Sequence, residues 1–208
     1  MLDRFISNDQ VTVCGSRVFI LAKRYPNETD YSGYVSKLRV HHSYLSLLVS
    51  TSRSGGFWPE TLYYLASKTN GICGLSNDED MGNAVKNIAT LGYPYLVYAA
   101  NPLVYEQGSV DLKPLLIPTS NNYAVVMTLQ DTGLMKVVRN ISLSWSESIE
   151  TWNSPIVGNL LYSLQSFTSQ LHNMTLTYDY SDGRSRKLQI RIYGSDASFV
   201  DNWLPYDD

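Results

Sequence analysis

The side chains best suited to acid–base or metal chemistry are scarce in this sequence. Its three histidines are His41, His42 and His172, and their spacing is not that of a metal site. His41 and His42 are neighbours, and adjacent side chains of a strand point to opposite faces of the sheet. The two rings could therefore line one site only where a bulge distorts the strand.

A catalytic triad would need one of these histidines beside a nucleophile and an orienting carboxylate. The nucleophiles considered are Ser54, Cys14 and Cys73. The residues around Ser54 lack the pattern of a nucleophile elbow. The two cysteines allow one disulfide at most, and we interpret both as small buried apolar residues. The sequence therefore favours a non-enzymatic protein that needs no cofactor or metal, with a small hydrolase as the alternative.

Acidic residues and glycine motifs give little support for other chemistry. Glu147 and Glu150 follow Trp145 closely, and two carboxylates near an aromatic ring could perform glycosidic chemistry. We interpret them instead as residues of a solvated loop. Neither phosphate-binding glycine motif occurs, and there is no cysteine cluster. The usual signatures of nucleotide, dinucleotide and zinc functions are therefore missing.

Aromatic side chains are the remaining candidates for a binding surface. The chain contains sixteen tyrosines and four tryptophans, and such rings bury a large area while keeping a polar group for solvent. Core packing accounts for most of them, but some could form platforms for sugars or flat contacts with a protein. The residues that we predict to bind a partner are Trp58, Tyr93, Tyr95, Trp152 and Trp203.

The composition is that of a folded protein with a charge-poor surface. Charged residues make up 17% of the 208 residues, below the roughly 25% of an average globular chain. Serine, threonine, asparagine and tyrosine take their place. Low surface charge protects poorly against association, which favours a protein that works in an assembly. An ordinary β-rich monomer is the alternative.

The charge distribution argues against nucleic-acid binding. The net charge is −3 and the sixteen basic residues are spread thinly, so no patch matches a phosphate backbone. The densest basic run, residues 184–191, is predicted to lie in a turn and on the solvent face of a strand. No stretch approaches the ~18 consecutive apolar residues of a membrane span. The opening residues also lack the apolar core of a signal peptide.

Three asparagines stand in the glycosylation sequon Asn-X-Ser/Thr, namely Asn27, Asn140 and Asn173. Such triplets arise by chance in a chain rich in asparagine, serine and threonine, so they are weak evidence of modification. Asn140 and Asn173 fall inside predicted strands, where a glycan fits only on the exposed face.

The alternation of apolar and polar residues is clearest near the end of the chain. Residues 172–194 alternate on both sides of Asp182-Gly183, which predicts a β-hairpin with a tight turn. One face of both strands would contact a core, and the other would face solvent. The pattern favours an antiparallel sheet over a buried parallel one.

Other elements follow from hydrophobic spacing and from capping residues. A helix begins at Pro59 and ends near Asn70, and a second helix carries a capping box of Ser76 and Glu79. The remaining predictions are strands at residues 11–22, 34–50 with a bend at 41–43, 95–100, 123–129 and 136–146, an irregular segment at 101–120, and a third helix from 154 to 171.

The predicted fold class is α+β and β-rich. It is an antiparallel β-sandwich, of which a jelly roll is one form, with about three helices in the connections. No linker divides the chain, so residues 1–208 are predicted to form a single domain.

The main functional hypothesis is a non-enzymatic structural or assembly protein, in particular a viral capsid or virion component that acts through protein–protein surfaces. No basic arm is present to neutralise a genome, so such a protein would lie away from the nucleic acid. The alternative is a carbohydrate-binding module or small hydrolase with an aromatic-lined cleft. The expected partner is accordingly a protein, through self-association or assembly, or else a carbohydrate. A viral origin would place the chain in the virion or the host cytoplasm.

Overall fold

The computed structural model describes residues 2–89, 92–130, 138–146, 148–152, 158–180, 183–199 and 203–206. Within them the chain forms two layers of different construction. The elements up to residue 89 alternate helices with parallel strands, and we call them the α/β layer. The strands between residues 95 and 194 are antiparallel and form a sandwich.

The α/β layer contains α1 (Leu2–Ile6), β1 (Arg17–Ala22), α2 (Ser32–Val40), β2 (Tyr44–Ser50), α3 (Pro59–Lys68), β3 (Cys73–Ser76) and α4 (Met81–Ala89). Its strands pair in parallel in the order β1-β2-β3. Helices α2 and α3 form the crossovers that parallel neighbours require. They cover one face of the sheet, and α4 and the sandwich cover the other. β2 and β3 are therefore almost wholly buried.

This parallel sheet corrects the prediction of one long strand at residues 34–50. The first half of that segment is α2, whose buried Val35 and Leu38 lie three residues apart on one helix face. The second half is β2. His42 takes a positive φ of 49° where the sequence predicts a bend. The β-propensity of the segment is overridden because two parallel strands must be joined by a crossover.

Helices α3 and α4 lie where the sequence predicts them. A proline occupies the first turn of α3, and Asn70, with a φ of 55°, follows its end. The predicted capping box of Ser76 and Glu79 is replaced by another turn. Asn77 Oδ1 accepts a 2.7 Å hydrogen bond from the Asp80 N–H just before α4.

The sandwich contains β4 (Tyr95–Ala100), β5 (Leu103–Val104), β6 (Gln107–Leu116), β7 (Asn121–Leu129), β8 (Val138–Trp145), β9 (Ser148–Trp152), β10 (Leu160–Phe167), β11 (Leu171–Tyr180) and β12 (Arg186–Gly194). A 3₁₀ turn, Ala197–Phe199, follows. One sheet has the order β10-β7-β12-β4, with β5 also paired to β12, and we call it the covered sheet. The other, the outer sheet, has the order β6-β11-β8-β9. These two orders are those of a jelly roll, which confirms the predicted β-rich antiparallel sandwich.

The hairpin predicted at residues 172–194 is wrong in its pairing, although both of its strands exist. β11 pairs with β6 and β8, whereas β12 pairs with β4, β5 and β7. The connection between them therefore crosses from the outer sheet to the covered sheet. Gly183 has a φ of 58° there, and residues 181–182 lie outside the described chain. Alternation identifies a strand but not the neighbour with which it pairs.

The helix predicted from residue 154 is also wrong. Residues 153–157 lie outside the described chain, and β10 follows them. Leu161 and Phe167 belong to the sandwich core, whereas Leu160 belongs to the cluster between the two layers. Apolar residues on both faces of a strand thus imitate the spacing of a helical stripe.

The segment predicted to be irregular, residues 101–120, contains β5 and β6. Pro114 lies inside β6, a position that a central strand would not tolerate because proline cannot donate to the ladder. β6 is an edge strand, and this explains why the proline fits.

The face of the covered sheet that points away from the sandwich core is largely covered at β12, which overturns the prediction for the basic run at residues 184–191. The α/β layer packs on the outer side of this sheet through α4 and the parallel strands. Gln189 and Arg191, predicted to face solvent, are each 0% exposed. Arg184, at the start of the run, is exposed as predicted.

The two cysteines are free and differ in exposure. Cys73 is buried in β3, which confirms the prediction for this residue. Cys14 is exposed, so the prediction that it is buried is wrong. The neighbouring Gly15 has a φ of 71°, and the extended run begins only at Arg17 rather than at residue 11.

Candidate functional site

The histidines form no catalytic group among the described residues. His172 is buried, and its Nε2 lies 2.9 Å from the carbonyl oxygen of Thr168. His42 stacks on Trp203 with ring centroids 4.7 Å apart. His41 follows the end of α2, and its backbone N–H bonds within that helix. None of the described hydrogen bonds joins a histidine ring to a hydroxyl, thiol or carboxylate group.

Cys73 and Ser54 have no activating partner among the residues that the structure describes. Burial raises the pKa of the Cys73 thiol well above its ordinary value, which suppresses the reactive thiolate. The Ser54 hydroxyl donates a 3.2 Å hydrogen bond to the backbone carbonyl of Lys23, which is not a base. In the part of the chain that the structure describes, no group of three His, Cys, Asp or Glu side chains could hold a metal ion.

The aromatic residues predicted to bind a partner differ in exposure and packing where their side chains are described. Trp58, which precedes α3, is 47% exposed, and Trp203 is 39% exposed. Tyr93 and Tyr95 are half-buried and pack against different hydrophobic clusters. The side chain of Trp152 lies outside the described residues. A role of these residues in partner binding stays a prediction.

A buried polar network joins the two layers. The Arg191 Nε donates to the carbonyl oxygens of Asn70 at 3.0 Å and Gly71 at 2.8 Å. Its Nη1 donates to the Ala100 carbonyl at 2.9 Å, and its Nη2 to Asn101 Oδ1 at 2.8 Å. Buried polar groups need such partners, and a buried charge needs them most. The network fixes the α/β layer on the covered sheet. The Arg191 nitrogens in these hydrogen bonds are engaged inside the protein and do not point at a ligand site.

Two amide side chains of the sandwich cap the outer edge of β3. Gln189 Oε1 accepts a hydrogen bond from the Cys73 N–H at 2.7 Å, and Asn159 Oδ1 accepts one from the Leu75 N–H at 2.5 Å. Asn159 Nδ2 also donates to the Cys73 carbonyl at 3.3 Å. Unpaired N–H and C=O groups make a strand edge a template for another chain. At β3 these groups are occupied.

The opposite edge of the parallel sheet is open. Within the described residues β1 pairs with β2 alone, in an unbroken register. Five of its six residues are half-exposed, and Leu21 is 58% exposed. After Arg17 the strand reads Val-Phe-Ile-Leu-Ala, without a proline, a bulge or an inner charge. Arg17 is the charged residue of β1, and its side chain points inward, where it donates a 2.9 Å hydrogen bond to the Ile88 carbonyl. The rest of the strand has none of these devices, by which proteins protect an edge strand.

The backbone direction of β1 is set by its pairing with β2. The Ser16 carbonyl accepts a 3.0 Å hydrogen bond from the Tyr44 N–H, so it points towards β2. Successive residues of a strand direct their N–H and C=O groups to opposite sides. Arg17, Phe19 and Leu21 therefore present their backbone groups to the open edge.

An apolar groove of about 380 Å³ adjoins this edge. Residues of β1, β2 and three helices line it, among them Leu2, Ile20, Leu45, Leu62 and Leu65. Lys23 and Arg24 also line it. An open strand edge beside an apolar groove is the arrangement that strand-addition sites use, because the backbone gives affinity and the groove takes side chains.

A larger groove, of about 710 Å³, lies where the edge strands β4 and β6 approach each other. The strand edges beside this groove are better protected against pairing with another strand than the β1 edge is. Pro114 lies in β6, and the Tyr98 hydroxyl bridges the two strands by donating to the Lys113 carbonyl at 2.8 Å. Leu204 and Pro205 of the following segment form part of its wall. We therefore take the β1 edge as the candidate functional site.

Comparisons with known proteins assign no function to this geometry. A family model described as a domain of unknown function (DUF7154) matches residues 100–195, which run from the end of β4 to just beyond β12. A search of curated proteins finds no match. No helix among the described residues has the length and apolar content needed to cross a membrane.

Similar solved structures include carbohydrate binders and viral proteins. One is a carbohydrate-binding module of a lichenase from Cellvibrio mixtus, with 8% identity, a TM-score of 0.33, and coverage of 51% of this chain and 94% of that chain. The PRD1 vertex protein has 10% identity, a TM-score of 0.34, and coverage of 49% and 99%. A capsid structure of the Helicobacter pylori bacteriophage KHP30 has 10% identity, a TM-score of 0.31, and coverage of 48% and 88%. Scores this low support no transfer of function.

Proposed function

We propose that this protein is a non-enzymatic assembly module whose open β1 edge pairs with β1 of a second copy. The observation that supports this most directly is the contrast between the two edges of the parallel sheet. Asn159 and Gln189 cap β3, whereas β1 is apolar, half-exposed and unpaired on its outer side among the described residues. An unprotected apolar edge favours strand addition.

A twofold axis perpendicular to the sheet would join two copies of β1 as an antiparallel pair. Arg17, Phe19 and Leu21 carry the outward backbone groups, so these residues must face one another across the axis. Two registers near the strand centre meet this condition. The first places Phe19 opposite itself and Arg17 opposite Leu21 of the second copy. The second places Phe19 opposite Leu21, and Arg17 opposite Lys23, of the second copy.

Charge favours the first register. In the second one, the symmetry brings Arg17 and Lys23 together twice, and like charges directly opposite each other destabilise a strand pair. The salt bridge from Lys23 to Asp78 reduces this repulsion without removing the Arg17 charge. With Phe19 on the axis, Arg17 faces the uncharged Leu21 instead.

Disulfide cross-linking tests the contact and its register. In a Cys14→Ser background, Phe19→Cys places two thiols across the axis, at the Cα separation of ~5.5 Å that suits both an antiparallel pair and a disulfide. We expect a covalent dimer after mild oxidation. Leu21→Cys is the matched control, because its two copies would lie more than about 13 Å apart. Cross-linking through Leu21→Cys but not Phe19→Cys, or through neither, would contradict the proposal.

A viral capsid or virion component is the narrower form of this proposal. The charge-poor composition supports it, with 17% charged residues. A shell requires a further contact, because a single twofold contact closes at the dimer. Electron microscopy at high protein concentration should then show species larger than dimers. Assembly that stops at the dimer rejects the capsid form and leaves the β1 contact intact.

Carbohydrate binding, the alternative function, requires Trp58 and Trp152 to line one open cleft. Trp58 lines neither of the two grooves described above. The side chain of Trp152 lies outside the described residues. No specific observation therefore favours this alternative over strand pairing.

A further inference from the structure

All three sequon asparagines lie on the surface. Asn27 is in the loop between β1 and α2, Asn140 is on β8, and Asn173 is near the start of β11; each is exposed. A residue in an alternating strand faces either the core or the solvent. Asn140 and Asn173 both face the solvent, so the steric condition for a glycan on a strand is met twice.

The amides of these asparagines do not hold the fold together. No described hydrogen bond involves the side chain of Asn27 or Asn173, and Asn140 Oδ1 accepts only a 3.4 Å contact from the Ser142 hydroxyl. Asn159, which is not in a sequon, is different. It is 1% exposed, and its side chain bonds to three backbone groups at the contact between the layers. Attaching a sugar at the sequon sites would therefore break no structural contact.

We propose that Asn27, Asn140 and Asn173 are N-glycosylation acceptor sites. The acceptor triplet needs a hydroxyl residue at its third position and any residue except proline at its second. The second positions here are Glu28, Ile141 and Met174.

Two of the glycans would share the free face of the outer sheet. Asn140 lies opposite Asp179 at one end of the β8–β11 pair. At the other end the Asn173 N–H bonds to the Ser146 hydroxyl at 3.1 Å. Asn173 and Asp179 are six positions apart on β11, a span of roughly 20 Å, which leaves room for two glycans.

Glycans at these sites would also increase the solubility of the protein. Only 17% of its residues are charged, and bulky polar sugars add the solubility that charge does not provide. They would close the outer sheet to protein partners. The β1 edge belongs to the other layer, so this inference stands independently of strand pairing.

Secretory expression in insect or mammalian cells, with an added leader peptide, tests the assignment. The intact mass of the secreted protein is measured before and after treatment with peptide-N-glycosidase, and glycopeptides locate the sites. We expect three glycans on the wild type and the loss of one in each of Asn27→Gln, Asn140→Gln and Asn173→Gln. Asn83→Gln is the matched control, because Asn83 is exposed but lies outside a sequon, and it should keep all three.

The secreted protein has passed the glycosylation machinery, so an empty site is informative. A sequon that stays unmodified in the secreted chain overturns the assignment at that residue. A wild-type mass that the glycosidase does not change overturns the whole proposal. The three asparagine side chains make no short hydrogen bond among the described residues. The Asn→Gln variants expressed without a leader should therefore unfold at the same urea concentration as the wild type.

Discussion

At the scale of the residue, Arg191 shows how one side chain holds two layers together. It is 0% exposed, and its described hydrogen bonds run mainly to backbone carbonyls of both layers. The planar guanidinium offers five donors in a fixed fork, so it can serve several carbonyls at once. Such a residue joins the two layers through hydrogen bonds within an otherwise apolar contact. Its contribution to the free energy of unfolding depends on every carbonyl acceptor staying paired.

Replacing Arg191 with methionine should lower the free energy of unfolding by about 3 kcal/mol or more, because buried carbonyls lose their donor. Arg191→Lys should restore only part of the loss, since lysine donates from a single nitrogen. Urea unfolding measures both. The control is Arg184→Met. Arg184 is exposed and lies just before β12, so this change should alter the free energy of unfolding by less than about 0.5 kcal/mol. Equal effects of the two methionine variants would contradict the buried network.

The two cysteines should differ in reactivity towards a chromogenic disulfide reagent. Burial raises the pKa of the Cys73 thiol and shields it, whereas Cys14 is exposed. One fast thiol per native chain is expected, and two after denaturation. Cys14→Ser should remove the native signal. Two fast thiols in the native protein would mean that β3 is not buried.

At the scale of elements, the chain segment that precedes β10 packs closely against the outer edge of β3. Gly158 has a φ of 59°, and a Cβ added to it would lie 1.7 Å from the Leu75 carbonyl oxygen. This approach brings Asn159 beside β3, where its amide bonds to both N–H and C=O groups of the strand. The α/β layer and the sandwich therefore meet through backbone as well as side chains.

Gly158→Ala should destabilise the protein by at least about 2 kcal/mol, because it combines a positive φ with a backbone clash. Gly82→Ala is the matched control. Gly82 lies in α4 with nothing within 4 Å of an added Cβ, so alanine there should be neutral or stabilising by up to about 1 kcal/mol. Thermal or urea unfolding compares the two. A loss of stability at position 82 that matches the loss at 158 would contradict the close contact.

Local signals in the sequence predict elements better than partners. The apolar stripe of α4 and the proline at the start of α3 depend on neighbouring residues, and both helices were predictable. The pairing of β12 was not predictable, because its neighbours β4 and β7 are encoded far from it in the chain. The burial of its outer face was hidden for the same reason, since Gln189 Nε2 donates to the distant Tyr63 carbonyl at 3.2 Å. The candidate site was hidden for the same reason. β1 is as apolar as the central β2, and only the sheet order shows that it is an edge.

At the scale of the whole molecule, the described surfaces differ in how well they are protected against a protein partner. The α/β layer covers most of one sandwich sheet, and the amides of Asn159 and Gln189 close the outer edge of β3. The free face of the outer sheet carries Asn140 and Asn173, the proposed glycan sites. The β1 edge remains, with its apolar groove. This distribution agrees with a protein that associates through the β1 edge.

Sedimentation equilibrium of two substitutions at Leu21 tests the β1 pairing most directly. In the proposed register Leu21 faces Arg17 of the second copy, so Leu21→Lys adds two like-charge pairs and Leu21→Glu adds two opposite-charge pairs. We predict a concentration-dependent dimer for the wild type, and dimerisation of Leu21→Glu that is at least about tenfold tighter than that of Leu21→Lys. Val40→Lys, at a 75% exposed position on α2, should leave the dimer unchanged. A wild type that stays monomeric at high concentration, or equal weakening by lysine and glutamate, would contradict the account.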